Sequence, residues 1–216
     1  MSDRSLNLVS VEELVRKFPD LAGSRAEIVA GSKVIVDALK NDRFLFLAGN
    51  GGSMADSLHI AGELKKSFEK PRPLPNDLTD KIRLFDSSQQ LADNLQLGVK
   101  AIVLGVDPVL TTAIDNDISL RHIHFAQELL SLGAEGDSLF LLSTSGKSQN
   151  LINAGVVAKA MGLKTVLLTG ASPSEQMLKI SDVTIRTPST HTATVQHYHS
   201  VIYHSICGVI ENTLFS

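Results

Sequence analysis

The stretch RFLFLAGNGGSMADSLHIAGEL, residues 43–64, indicates the fold of the whole chain. Its first seven residues form a short apolar run that ends in glycine, which is typical of a buried β-strand. The glycine-rich turn Gly49–Ser53 follows, and glycine allows the backbone to approach a ligand closely. The residues after the turn predict a helix in which His59 and Glu63, four positions apart, share one face.

Four further apolar runs repeat this strand pattern, and helical patterns separate them. The runs cover residues 101–106, 138–144, 165–170 and 182–187, and the helical patterns lie near 118–132, 149–161, 174–180 and 190–214. Two more helical patterns occupy the first 42 residues. Apolar strands that alternate with helices are typical of a parallel sheet covered on both faces. We therefore predict one α/β domain of 216 residues, a five-stranded parallel sheet inside an α-β-α sandwich.

A segment from about residue 71 to residue 100 interrupts this alternation of strands and helices. Its proline cluster, PRPLP at 71–75, cannot continue the preceding helix. Leu91, Leu95 and Leu97 predict a short helix farther along the segment. A connection this long is either functional, as a lid would be, or an insertion particular to a family, and the residues favour neither.

Composition limits the cellular setting and the partners of the chain. Hydrophobic residues make up 43% of it, which is enough to bury a core, and the net charge of −3 does not favour nucleic-acid binding. The single cysteine, Cys207, excludes a disulfide framework and indicates a reducing compartment. No apolar stretch has the length of a membrane span, and the first residues lack the apolar run of a signal peptide. We therefore expect a cytoplasmic protein with neither a membrane nor a nucleic-acid partner.

Residues 143–148, Ser-Thr-Ser-Gly-Lys-Ser, are predicted to hold a phosphate group. They follow the third predicted strand and precede a helix. In an open parallel sheet, ligands bind at the carboxyl ends of the strands, where helix N-termini offer free N–H groups. Helix capping accounts for one of the four hydroxyls, but the other three and the lysine remain to be explained.

The first glycine turn does not match a dinucleotide-binding fingerprint. Met54 stands where the third glycine of G-x-G-x-x-G would be required. An acidic residue at the end of a second strand, about twenty residues farther on, is also missing. The sequence therefore argues against a nucleotide-binding site at residues 49–54.

His59 and Glu63 could have either a purely structural role or a functional one. Paired at i and i+4, they could simply stabilise an exposed helix by a few tenths of a kcal/mol, roughly. Their position within three turns of a candidate ligand loop favours a functional role.

The predicted last helix adds an amide and further imidazoles. Gln196 and His204 are eight residues apart, about 80° around the helix axis and about 12 Å along it, so both could reach one ligand. Histidine, carboxylate and amide oxygen together suit a divalent ion such as zinc. His197 and His199 are interpreted as surface or packing residues.

Four motifs in this order resemble a known family: GNGGSMADSLHIAGEL, IDND, STSGKSQNLINA and VQHYHSVIYH. The chain is similar to sugar isomerase (SIS) domains and, among them, to the phosphoheptose isomerases. The resemblance implies a single SIS domain over 1–216, with N-terminal helices in 1–42 and an inserted segment at about 76–99. It also implies a homotetramer. The chain departs from the family at Lys147, where asparagine is usual, at Gly62 and in the insertion.

The resemblance also implies an activity and a set of site residues. The activity is aldose–ketose isomerisation of sedoheptulose 7-phosphate through an enediol, with Glu63 as base and His204 as acid. The implied zinc ligands are His59, Glu63, Gln196 and His204. The implied substrate contacts are Asn50, Gly51, Gly52, Ser53, Asn116, Asp117, Ser143, Thr144, Ser145, Ser148 and Gln196.

Two other classes of function compete with the enzyme. One is a non-catalytic SIS-domain protein, either of the DnaA initiator-associating type or a sugar-phosphate sensor. The other is a zinc-binding protein without catalysis, for which the hydroxyl-rich loop would be superfluous. The joint presence of His59, Glu63, Gln196 and His204 favours the enzyme, because a binding module does not need this set.

Overall fold

A five-stranded parallel sheet forms the centre of the fold in a computed structural model that describes residues 6–88 and 90–215. Its strands are β1 (Leu45–Gly49), β2 (Ala101–Val103), β3 (Ser138–Ser143), β4 (Lys164–Thr169) and β5 (Val183–Arg186). They pair in the order β2-β1-β3-β4-β5, and all neighbours are parallel. The predicted five-stranded parallel sheet is confirmed.

The described chain also contains ten α-helices, and most of them cover the two faces of the sheet. They are α1 (Val9–Lys17), α2 (Arg25–Lys40), α3 (Gly52–Lys65), α4 (Asn76–Arg83), α5 (Leu91–Asn94), α6 (Pro108–Asp117), α7 (His124–Leu132), α8 (Gln149–Ala160), α9 (Glu175–Ile180) and α10 (Thr192–Leu214), with a 3₁₀ helix at Pro19–Ser24. Successive strand residues point to opposite faces, so Phe140 joins one core while Leu141 joins the other. The first core is completed by α1, α2, α3 and α10, and the second by α7, α8 and α9.

The helix predicted near 118–132 is confirmed only from His124 onward, where α7 begins. Asp107 caps an earlier helix, α6, by accepting hydrogen bonds from two backbone N–H groups, and Pro108 occupies its first position. That helix ends at Asp117, and His122 then adopts a left-handed conformation with φ of 66° that interrupts any helix. The second strand is also shorter than predicted, because Gly105 turns the chain with φ of 83°.

The segment after α3 is closed at its base and exposed beyond it. Pro73 forms an antiparallel bridge with Gln96, and the N–H of Leu97 donates to the carbonyl of Arg72 at 2.8 Å. The chain between them forms α4, which the sequence did not predict, and α5, which overlaps the short helix predicted there. The helix α4 buries none of its residues, so these helices are attached mainly through the base.

A buried ion pair holds the start of this segment against α10. Arg72 and Glu211 are 2% and 1% exposed, and their side chains meet at 2.8 Å. The Glu211 carboxylate also accepts the backbone N–H groups of Phe68, Glu69 and Lys70 at 2.8–3.1 Å. Burial alone raises the pKa of Glu211, but these donors and Arg72 outweigh it, and the pKa lies below its ordinary value.

The long C-terminal helix α10 also carries the only cysteine. Cys207 is fully buried, and burial raises the pKa of its thiol. Within residues 6–88 and 90–215, no helix combines the length and the apolar character that crossing a membrane requires.

Candidate active site

The helices α3 and α10 pack against each other and bring three predicted site residues together. His59 and Glu63 come from α3, and His204 comes from α10. One donor atom of each residue lies within 4.8 Å of the donor atoms of the other two. Two imidazoles and a carboxylate are a common donor set for zinc and other divalent metals. The residues therefore fit a metal ion in chemical type and in separation.

The two carboxylate oxygens of Glu63 have different neighbours. Oε1 lies 3.0 Å from Nε2 of His59, inside the cluster. Oε2 lies 3.7 Å from the ammonium nitrogen of the exposed Lys66. The Glu63 side chain is only 21% exposed, so it is largely shielded from water while one oxygen remains outside the cluster.

The second nitrogen of His59 contacts Tyr203, a residue that the sequence did not single out. Nδ1 of His59 lies 3.2 Å from the Tyr203 hydroxyl, which lies 3.4 Å from Oδ1 of Asp56. Burial raises the pKa of Asp56, and the Tyr203 hydrogen bond and the two site histidines oppose this in part. Asp56 precedes His59 by three residues on α3, and this spacing was the available signal for it.

Aromatic contacts hold the His204 ring. The ring of His59 meets it edge-on at 5.0 Å, and the ring of Phe68 stacks on it at 5.9 Å with an interplanar angle of 7°. His204 also lines a pocket of about 260 Å³ between α1, the chain at Phe68 and α10. The imidazole is therefore fixed in orientation and still reachable from a cavity.

The amide of Gln196 lies against the first residue of α3. A Cβ atom on Gly52 would stand 2.3 Å from Nε2 of Gln196, so this contact requires glycine unless the side chain moves. At Gly49, a Cβ would stand 2.4 Å from the carbonyl oxygen of Ser53. The glycine turn thus brings Gln196 to the N-terminus of α3, two turns from His204 along α10.

The hydroxyl-rich loop at 143–148 forms a tight turn before α8. The N–H of Gly146 donates to the Ser143 hydroxyl at 3.1 Å, and the N–H of Lys147 donates to the Ser145 hydroxyl at 3.3 Å. Ser148 is the N-cap residue of α8, yet its side chain makes no capping hydrogen bond. A pocket of about 140 Å³ adjoins the loop and is lined in part by Thr144, Ser145 and Lys147. An uncapped helix N-terminus beside hydroxyls and a lysine is suited to an anion.

Two asparagines join the hydroxyl loop to the glycine turn. Asn50 and Asn150 donate amide hydrogen bonds to each other's oxygens, at 3.0 and 2.7 Å. Asn150 is 8% exposed and is the second residue of α8, whereas Asn50 follows β1 directly. The two predicted ligand loops are therefore linked directly at the carboxyl ends of β1 and β3.

Other sequence-selected residues lie apart from this cluster. Asn116 and Asp117 are exposed at the end of α6, and the only side-chain hydrogen bond they show within the described ranges joins them to each other. His197 is exposed, whereas His199 is fully buried, and burial lowers its pKa to about 4. These positions agree with the interpretation of His197 and His199 as surface and packing residues.

Comparisons with known proteins agree on the class of this chain. The phosphoheptose isomerase of Aneurinibacillus thermoaerophilus is 33% identical over 208 residues, which are 96% of this chain and 87% of that protein. The phosphoheptose isomerase of Leptospira biflexa is 36% identical over 206 residues, 95% of this chain and 93% of that protein. No family model matches.

A solved structure supports the same class. The phosphoheptose isomerase of Neisseria gonorrhoeae has a TM-score of 0.69 and 26% identity, and the match covers 94% of this chain and 92% of that one. Fold, site and relatives together define a sugar-phosphate isomerase with the SIS fold. The chain belongs to the phosphoheptose isomerase family.

Proposed function

We propose that the chain interconverts sedoheptulose 7-phosphate and an aldoheptose 7-phosphate through an enediol. The observation that carries this proposal is the His59–Glu63–His204 cluster, which is held between α3 and α10. The relatives in this family are named phosphoheptose isomerases, and that name supports the choice of a seven-carbon substrate. A sensor or a binding module would not need two imidazoles around a shielded carboxylate.

The phosphate end is assigned to residues 143–148. Backbone N–H groups at the N-terminus of α8, the hydroxyls and Lys147 offer donors and positive charge to an anion. Phosphate binding then supplies the energy that aligns the reacting carbons.

Proton transfer is assigned to Glu63 and His204. The Glu63 carboxylate removes a proton from C1 of the ketose, while His204 donates a proton to the carbonyl oxygen at C2, which gives the enediol. His204 then takes the proton of the C1 hydroxyl, and Glu63 returns its proton to C2, so that the aldose forms and both residues recover their starting states. The Glu63 oxygen that faces away from His59 is the one available as the base.

His59, Glu63, Gln196 and His204 are proposed to hold a zinc ion. A bound zinc ion would supply electrophilic polarisation of the sugar carbonyl and hydroxyl oxygens. We also propose that the chain forms a homotetramer, because α1 leaves apolar surface such as Val9 exposed. A cytoplasmic location is proposed from the single cysteine, which indicates a reducing compartment.

The proposal is tested by exchanging the base. Glu63→Gln keeps the shape but cannot accept the proton, so kcat should fall by at least about 10²–10⁴-fold with phosphate binding retained. The kcat of His204→Gln should fall as far. His197→Gln, at an exposed position on the same helix, is the matched control and should keep its kcat. Sedoheptulose 7-phosphate and shorter ketose phosphates are assayed with and without zinc. Exchange of the C1 proton with deuterated water at the wild-type rate in Glu63→Gln would refute the assignment.

A further inference from the structure

We infer that Tyr203 and Asp56 form a positioning pair that orients His59 and determines which of its ring nitrogens carries the proton. The inference rests on the proposed metal site and adds two residues that act on it through His59. The Tyr203 hydroxyl lies 3.2 Å from Nδ1 of His59 and 3.4 Å from Oδ1 of Asp56. Tyr203 itself is only 2% exposed, so water does not compete freely for these contacts.

The geometry assigns one nitrogen of His59 to each side of its ring. Nε2 faces the Glu63 carboxylate within the three-residue cluster, whereas Nδ1 faces Tyr203. A metal ligand must offer a lone pair, so Nε2 has to be free of its proton when it binds the ion. The ring proton of a neutral imidazole must then reside on Nδ1, and that N–H needs an acceptor.

The Tyr203 oxygen is this acceptor, and Asp56 allows it to serve as one. A phenol carries a single proton, which it can donate either to His59 or to another acceptor. An ionised carboxylate only accepts, so the Tyr203 hydroxyl donates its hydrogen bond to Asp56 and leaves its oxygen open to the N–H of His59. Asp56 therefore acts on His59 through Tyr203, and the two residues act in series.

The hydroxyl can be removed with little change in packing. The Tyr203 ring contacts the rings of His59 and His204 at 5.7 and 4.6 Å, and phenylalanine would preserve both contacts. The chain has one other tyrosine, Tyr198, on the same helix, whose hydroxyl bonds to Asp20 at 3.1 Å. Tyr198→Phe thus removes a comparable hydroxyl–carboxylate hydrogen bond away from the cluster.

The test measures zinc affinity by competition with a chromophoric chelator, without substrate. Tyr203→Phe should weaken zinc binding about 10–100-fold, as loss of an outer-shell partner does, and Tyr198→Phe should leave it unchanged. Asp56→Ala should weaken it similarly, while Asp56→Asn, which keeps an accepting oxygen, should retain most of the affinity. The double variant Tyr203→Phe/Asp56→Ala should bind zinc no more weakly than Tyr203→Phe alone, because the residues act in series.

Activity supplies a second measurement. The kcat of Tyr203→Phe should fall at limiting zinc and recover at saturating zinc with KM unchanged, a pattern that mere destabilisation would not produce. Wild-type affinity in both Tyr203→Phe and Asp56→Ala would overturn the inference and leave the metal site standing. Additive losses in the double variant would overturn the series arrangement. A wild-type chain that binds no zinc would overturn both the metal site and this inference, whatever its isomerase activity.

Discussion

Replacing the buried Glu211 by glutamine is expected to lower the free energy of unfolding more than a substitution in an exposed ion pair does. Its Oε1 accepts from the N–H of Phe68 and from Arg72, and its Oε2 accepts from the N–H groups of Glu69 and Lys70. Whichever way a glutamine amide turns, its NH₂ group faces at least two donors that lose their acceptor. Each buried unsatisfied donor costs about 1–3 kcal/mol.

The loss of charge adds to this cost. Arg72 would remain charged at 2% exposure without its partner, and breaking a buried ion pair from one side costs about 3–5 kcal/mol. For a chain of this length, that loss lowers the melting temperature by about 6–20 °C. The hydrogen bond from the Phe68 N–H to Glu211 also helps to hold the Phe68 ring against His204, so a fall in kcat should accompany the loss of stability.

Thermal unfolding followed by circular dichroism at one fixed protein concentration measures the effect. Asp77→Asn is the matched control, because it breaks an ion pair with Lys81 in which both side chains are more than 70% exposed. We expect this control to change the free energy of unfolding by no more than about 0.5 kcal/mol. If Glu211→Gln melts within 1 °C or so of the control, the buried pair does not stabilise the fold as reasoned here.

The pH dependence of the same comparison gives an independent test. The pKa of Glu211 in the folded state lies below its ordinary value of 4.5. Its contribution to stability is therefore fully present above about pH 4.5 and is lost as the pH falls through the folded pKa. The difference in stability between wild type and Glu211→Gln should shrink in that window, and a constant difference down to the acid transition would contradict the assignment.

Three other outcomes follow from the loops and surfaces. Ser145→Ala and Ser148→Ala should each raise KM about tenfold or more with folding preserved, since each removes a donor to a charged phosphate. An unchanged KM would mean that the phosphate binds elsewhere. Replacing residues 74–95 by Asn-Gly, a two-residue turn that suits the antiparallel pairing of Pro73 with Gln96, should alter substrate preference more than stability. Equal loss of folding and activity would make that segment part of the core. Light scattering should give about 93 kDa, four times 23.2 kDa, and a monomer at micromolar concentration would exclude the tetramer.

Strands and helices with a regular apolar pattern could be predicted from the sequence, whereas the points at which a helix is interrupted could not. The strands and α10 follow from apolar runs and periodicity, because burial on a sheet or along a helix leaves that pattern in the residues. The start of α7 was placed six residues too early because exposed apolar residues such as Ile118 and Leu120 imitate helical periodicity, and α6 was not predicted. The left-handed backbone at His122 has no sequence signal of comparable strength.

In the site, spacing within one helix was informative and contact between helices was not. The i, i+4 relation of His59 and Glu63 follows from helix geometry, whereas the approach of His204 depends on how α10 packs against α3. Resemblance to a family supplied that grouping. Tyr203 was missed because its hydroxyl contacts His59 and Asp56, which precede it in the chain by 144 and 147 positions. The Arg72–Glu211 pair was missed for the same reason, since 139 positions separate the two residues.

The single buried cysteine gives the chain a practical property for spectroscopy. Because Cys207 is fully buried and its thiol pKa is raised, it should resist alkylation while the protein is folded. A cysteine introduced at the exposed Ser88 would then be the one reactive thiol in the described part of the chain, ready for a fluorophore or a spin label. Probes at that position would report how the segment between α4 and α5 responds to substrate, with the natural cysteine left in place.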